Sequence, residues 1–243
     1  MIVVINNSNE NPRIKSYVKY FREAKYPLNS SCKTKKKRNY NIKIKSKRCF
    51  KSNKRQNIIE LIFTFLKNNN VKYKDIQTTK SLIDVIKSGE KINGVIISGS
   101  DLRFSFDKVP YNLILPSLIA IEHFKEKVPI YGICFGFQLL NKYFGGEIGR
   151  TDNYRKKSYH VEVKHEGHFF KNEHSGQYYF YNGDSVTKIG HGFISITDNL
   201  QKEGLELMVE HKKYKIIGTQ FHPELSGDYG IKILESFLRL CKL

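Results

Sequence analysis

Apolar residues in this chain fall into short, sharply bounded runs separated by stretches with a helical period. Residues 1–5 are continuously apolar, the mark of a strand covered on both faces. Residues 94–97 and 129–133 repeat that pattern, 71–77 give a more polar strand, and 215–221 a last one. Between them apolar positions recur at helical spacing over 58–66, 81–87, 117–124 and 137–144, with 231–241 closing the chain. Gly89 stops the second of these helices and Gly145-Gly146 the fourth. From 159 to 209 the pattern changes to short β-rich runs, 159–163, 178–181, 193–197 and 205–209, divided by Gly, Asn and Asp. Alternating strand and helix units predict an α/β fold with a doubly wound, mostly parallel sheet and a β-rich excursion around 159–209.

Composition narrows the class. The chain has 243 residues, 40% hydrophobic and 13% aromatic, enough for one full core, and we expect a single domain over 1–243. The 42 Lys and Arg outnumber 23 Asp and Glu, for a formal net charge of +19. Thirteen of the basic residues lie between Glu23 and Glu60, where there is no acid, so the remainder carries only about +6. We read residues 25–57 as a basic insertion or flexible arm, either a surface for nucleic acid or another polyanion or a solvated charge run without a partner. The longest uncharged apolar-leaning stretch, 109–121, is too short to cross a bilayer, and 1–5 lacks the basic start of a signal peptide. A soluble, cytoplasmic protein is expected. Cys32, Cys49, Cys134 and Cys241 lie far apart without a C-x-x-C pair, which argues against a disulfide scaffold and a cysteine zinc site.

One junction carries chemistry. Gly132-Ile133-Cys134-Phe135-Gly136-Phe137-Gln138 puts a cysteine between a buried strand and a helix. A nucleophile on so sharp a turn needs glycine on either side, because bulkier neighbours would clash. The helix N-terminus turns free N–H groups and a positive dipole end toward the sulfur, which favours thiolate. The N–H of Phe135 is then positioned to stabilise an oxyanion.

A thiolate nucleophile needs a base and a group to orient it. Gly218-Thr219-Gln220-Phe221-His222-Pro223-Glu224 supplies both at the end of the last predicted strand. His222 and Glu224 are two residues apart, so on extended backbone they point to the same side.

Together these motifs resemble the class I (triad) glutamine amidotransferase family, and among its members the stand-alone amidotransferase subunits of GMP synthases most. The first strand through Asn7, the segment Ile96-Ile97-Ser98-Gly99-Ser100, and Gly145-Gly146-Glu147-Ile148-Gly149-Arg150 are similar to family segments in the same order. The resemblance implies a flavodoxin-like fold, with Cys134 as nucleophile, His222 as general base and acid, and Glu224 as its orienter. It implies oxyanion donors at Phe135 and the Gly99–Ser100 turn, and Gln138, Tyr181 and Asn182 lining the glutamine site. L-Glutamine would form a thioester on Cys134 and release ammonia to a separate ATP-dependent synthetase. No cofactor and no metal are implied.

Three departures stand out. The oxyanion loop, commonly Gly-Gly-Pro, here reads Gly99-Ser100-Asp101. Phe135 and Phe137 flank the nucleophile region where Leu and His or Met are commoner. The family's Ser-His-x-Asp segment is matched by Tyr181-Asn182-Gly183-Asp184. The 181–184 segment and the absence of a synthetase domain keep open a stand-alone hydrolase of γ-glutamyl amides or peptides, and the basic arm keeps open a catalytically quiet scaffold that binds nucleic acid. His160, His165, His168 and His174 cluster in sequence, but His165-Glu166-Gly167-His168 is one residue short of a zinc helix.

Overall fold

The computed structural model describes residues 1–8, 11–16, 57–105, 109–197 and 205–243, with the side chains of 152–155 excepted. The basic stretch expected at 25–57, apart from Asn57, lies outside the described residues, as do Cys32 and Cys49.

In chain order the elements are β1 (Ile2–Ile5), α1 (Ile58–Asn68), β2 (Tyr73–Ile76), α2 (Thr79–Lys87), β3 (Gly94–Ile97) and α3 (Tyr111–Phe124). They continue with β4 (Ile130–Ile133), α4 (Phe135–Tyr143), β5 (Glu147–Val161), β6 (Gly176–Lys188) and β7 (Phe193–Ser195), then β8 (Met208–His211), β9 (Ile216–Thr219) and α5 (Gly227–Leu240). Seven strands form one sheet in the order β2-β1-β3-β4-β9-β8-β7. The first five run parallel, while β8 and β7 extend the edge antiparallel. Strands β5 and β6 pair separately as an antiparallel ribbon.

The unbroken apolar runs have a simple cause. Successive side chains of a strand point to opposite faces. Ile2 and Val4 join one core with Ile96, Tyr131, Ile133 and Ile217, and α1 and α5 cover it. Val3 and Ile5 join a second with Val95, Ile97, Ile130 and Ile216, under α2, α3 and α4. Both faces are closed to water, so every position of β1, β3 and β4 is buried. Burying one such Ile or Val stabilises by roughly 1.5–3 kcal/mol.

Three elements differ from the sequence pattern. Helix α3 starts at Tyr111, not 117, and runs through Pro116. Proline removes the N–H that would bond Asn112 four residues earlier, and the Arg13 guanidinium donates to that carbonyl instead, at 3.1 Å. Helix α4 starts at Phe135, two residues before its apolar period becomes visible. The β-rich excursion begins at Glu147, twelve residues earlier than expected, because β5 and β6 are long partners whose irregular register breaks the two-residue alternation. At α2 the expected stop at Gly89 holds, with a positive φ of 71° beyond the end, and Thr78 and Ser81 bond reciprocally at the start.

The register sets what meets at the sheet's carboxyl edge. Ile97 pairs with Gly132, Gly132 with Gly218, and Ile133 with Thr219. The segments that leave β3, β4 and β9 therefore emerge side by side, where doubly wound sheets place their sites.

Candidate active site

Cys134 is the residue before α4 and has φ 53° and ψ −104°, a left-handed conformation that an L side chain rarely adopts. Such a residue costs on the order of 1–3 kcal/mol and persists only where its surroundings hold it. Here they do. Its N–H donates to the Thr219 carbonyl at 2.8 Å, and its carbonyl accepts from Gln138 N–H at 3.0 Å. The flanking glycines are obligatory for space: a Cβ on Gly136 would collide with the Ile97 carbonyl oxygen, and one on Gly132 would lie 2.5 Å from Leu140 Cδ1. The cysteine is 4% exposed, and Gln220 Nε2 approaches its sulfur at 3.7 Å.

His222 leaves β9 on extended backbone and enters a one-turn helix, Pro223–Leu225. Its main chain is fixed from both sides. Its N–H donates to Tyr179 O of β6 at 2.9 Å, and Ser226 Oγ donates to its carbonyl at 2.5 Å. Nδ1 and Glu224 Oε1 are 2.8 Å apart, and the two side chains are only 4% and 1% exposed. Burial disfavours the imidazolium, but the Glu224 carboxylate and the Cys134 sulfur outweigh it, so the pKa stands well above the usual histidine value. Nε2 is buried and meets no group at full hydrogen-bond geometry among the described residues. Gly99 backs onto this ring, where a Cβ would lie 2.9 Å from His222 Cε1 and 3.7 Å from Cys134 Cβ. Cys134, the His222 imidazole and Gly99 thus share one point of the fold.

A cleft of about 70 Å³ opens from Cys134, bounded by Ser100 to Arg103 on one side and Tyr181 to Asp184 on the other. The model of the family described as glutamine amidotransferase class-I matches residues 52–241. This chain belongs to that family.

Among relatives of this amidotransferase, a glutamine-hydrolysing GMP synthase subunit from Methanocaldococcus jannaschii is 33% identical over 188 residues, covering 75% of this chain and 92% of that protein. The corresponding subunit from Methanococcus maripaludis strain C6 is 32% identical, over 72% and 87%. A solved glutamine amidotransferase from Thermotoga maritima shares the fold with a TM-score of 0.52 at 18% identity, over 75% of this chain and 76% of that one.

Of the site residues expected from sequence, Ser100, Phe135, Gln138, Tyr181 and Asn182 line the amidotransferase cleft with Cys134, while Gly99 lies behind it against His222. Gln138 is 3% exposed, and its amide donates to the Asp184 carbonyl at 2.8 Å, so it braces the far wall. Tyr181 presents its edge to His222, the rings 6.4 Å apart, with Lys156 Nζ 4.9 Å from the tyrosine ring centre. Asn182 donates to Ser185 Oγ at 2.8 Å and to the Asp184 carbonyl at 2.9 Å. Sequence reading missed two residues of this cleft. Asp184 is 2% exposed, and its carboxylate accepts both the N–H and the hydroxyl of Ser105. Arg103 reaches the cleft from the same loop. The signal for the first was present, an acid at the end of Tyr181-Asn182-Gly183-Asp184; nothing local marks the second. His174 is a structural residue: it accepts from Lys171 N–H at 2.9 Å and lies 3.0 Å from Ser236 Oγ. No group of three or more metal-binding side chains, and no helix long and apolar enough to cross a membrane, occurs among the described residues.

Proposed function

We propose that this amidotransferase hydrolyses L-glutamine to glutamate and ammonia, and that the ammonia serves a separate ATP-dependent synthetase chain of the GMP synthase type. The observation that carries the reading is the buried His222–Glu224 pair facing a cysteine held in strained geometry at a helix start. The names of the methanogen relatives support the choice of acceptor enzyme.

The chemistry follows from the geometry. Cys134 sulfur attacks the amide carbon of glutamine, and the carbonyl oxygen takes on negative charge. The N–H of Phe135, at the start of α4, and the Gly99–Ser100 turn are the donors we assign to that oxygen. The C–N bond breaks as His222, protonated and steadied by Glu224, gives its proton to the departing nitrogen, which leaves as ammonia. A thioester remains on Cys134. Neutral His222 then takes a proton from water as that water attacks the thioester carbon. The C–S bond breaks with its electron pair on the sulfur, glutamate departs, and His222 is left protonated beside Cys134 for the next cycle. Pro223 stiffens the link between base and orienter, and Gln138 and Asp184 keep the opposite wall in register.

Covalent labelling tests this without waiting on a partner. An electrophilic glutamine analogue should modify Cys134 stoichiometrically, excess glutamine should block it, and Cys134→Ala should take up none. A folded, reduced sample that is not labelled at Cys134, or whose labelling glutamine does not slow, overturns the reading.

A further inference from the structure

Strand β9 ends at Thr219, three residues before His222. A line of buried hydroxyls runs from β4 into that stretch. The Tyr131 hydroxyl lies 2.9 Å from Thr219 Oγ1, and Thr219 Oγ1 donates to the Phe221 carbonyl at 3.3 Å. Thr219 has one hydroxyl proton and gives it to that carbonyl, so Tyr131 is the donor of the first bond. Tyr131, Thr219 and Phe221 are all fully buried. Burial, and then the nearby Glu224 carboxylate, push the Tyr131 pKa well above the usual tyrosine value, so the phenol keeps the proton it donates.

The line ends on the peptide that carries the base. Thr219 holds its carbonyl, at Phe221, and its N–H, at His222, donates to the Tyr179 carbonyl at 2.9 Å. A planar peptide gripped at both polar groups resists turning, which fixes the direction in which the His222 side chain leaves the backbone. Thr219 also holds the cysteine, since its carbonyl accepts the Cys134 N–H at 2.8 Å. One residue thus ties the strained turn to the segment that brings the imidazole to it. Packing does not require the two hydroxyls. The Tyr131 ring lies against Phe237 with centres 5.5 Å apart, and Phe221 stacks on Tyr178 at 4.0 Å. Tyr131→Phe and Thr219→Val would fill the same space.

We infer that Tyr131 and Thr219 are positioning residues, a two-hydroxyl relay that sets His222 against Cys134 by fixing the Phe221–His222 peptide. The inference rests on the glutamine reading above, but neither hydroxyl touches the substrate. The relay acts in series. Without the Tyr131 hydroxyl, Thr219 still has a proton for the Phe221 carbonyl, although nothing orients it. Without the Thr219 hydroxyl, that buried carbonyl loses this donor, the costlier change.

The test uses the chloromethyl ketone analogue of glutamine. Cys134 sulfur displaces chloride from it: one S–C bond forms, one C–Cl bond breaks and chloride leaves. Saturation kinetics separate KI, which reads binding, from the maximal rate kinact, which reads the attack, during which His222 holds the sulfur's proton. Thr219→Val should lower kinact by roughly ten- to hundredfold, as a misplaced reacting group does, with KI little changed. Tyr131→Phe should lower it less. The double variant should be no slower than Thr219→Val, because the tyrosine acts only through the threonine. Thr219→Ser, which keeps the hydroxyl, should recover most of the rate. A kinact unchanged by Thr219→Val overturns the inference while the glutamine reading stands. So does a Thr219→Ser protein as slow as Thr219→Val, or a double variant whose loss is the product of the two single losses. Should Thr219→Val not fold, Tyr131→Phe decides: a lower kinact at constant KI supports the relay, and a wild-type kinact overturns it. A wild-type protein that the reagent does not label at Cys134 overturns the glutamine reading, and this inference falls with it.

Discussion

Gly136, in the first turn of α4, sits so close to the carbonyl oxygen of Ile97, the last residue of β3, that no side chain fits between them. The contact joins α4, which begins directly after Cys134, to β3, the strand that leads into Gly99 and Ser100. It fixes how far the Cys134 elbow lies from Gly99 and Ser100. Gly136→Ala should therefore force backbone apart, not merely a flexible side chain. We expect a loss of about 1–3 kcal/mol in unfolding free energy, read from the denaturant midpoint, with slower labelling of Cys134. The same substitution at Gly89, which has open space and only its positive φ of 71° to lose, should leave labelling unchanged.

Cys134→Ala should abolish turnover yet leave the fold intact. The sulfur's contacts are long, 3.7 Å to Gln220 Nε2 and 4.0 Å to the Tyr181 carbonyl, so little stability depends on it. The expected change in unfolding free energy lies within the ordinary range for one substitution, roughly 0.5–3 kcal/mol. Glutaminase activity retained by this variant would falsify the thioester mechanism.

Glu224→Gln gives a pH-dependent outcome. In the folded protein Glu224 and Cys134 raise the His222 pKa against the effect of burial, whereas in the unfolded chain this group titrates near 6.5. A raised folded pKa means that the folded state binds the proton more tightly. Its stabilisation is complete below about 6.5 and is lost as pH rises through the folded value. The stability gap between wild type and Glu224→Gln should then be widest at mildly acidic pH and close toward alkaline pH. Urea titrations across that range read it directly; a gap that widens with pH would contradict the assignment.

Asp184→Asn removes an acceptor that serves two donors of Ser105. The amide that replaces one oxygen cannot accept, so one donor is orphaned at a cost of about 1–3 kcal/mol. The effect should be local. Hydrogen exchange at the Ser105 amide should quicken, and glutamine KM should rise more than kcat falls. Exchange as slow as in wild type would mean that the clamp is not what holds this loop.

The strained turn at Cys134 was legible in the sequence because its constraint is local. Gly132, Cys134 and Gly136 answer to one turn of backbone, and the clashes that require glycine there involve that turn, the helix it starts or the strand beside it. The fully covered strands were legible too, since burial on both faces removes the polar residues that would otherwise alternate along β1, β3 and β4. Helix α3 was cut short because Pro116 signals a stop, and the Arg13 bond that offsets it comes from 99 residues away. The extent of β5 was hidden for a similar reason: its register with β6 shifts twice, which erases the alternation.

The sequence by itself determined the order of strands and helices, the strained cysteine turn and the paired His222 and Glu224, because each depends on residues within a few positions of one another. Only the tertiary structure decided that Gly99 backs onto His222, that Asp184 clamps Ser105, and that Arg103 lies over Gly183 in the cleft beside Cys134. Those contacts join segments some eighty residues or more apart. Gly99 and His222 meet because the parallel register of β3, β4 and β9 brings three loops to one edge, and β6, tied to His222 through the Tyr179 carbonyl, carries Gly183 and Asp184 to the same place; no local periodicity encodes either relation.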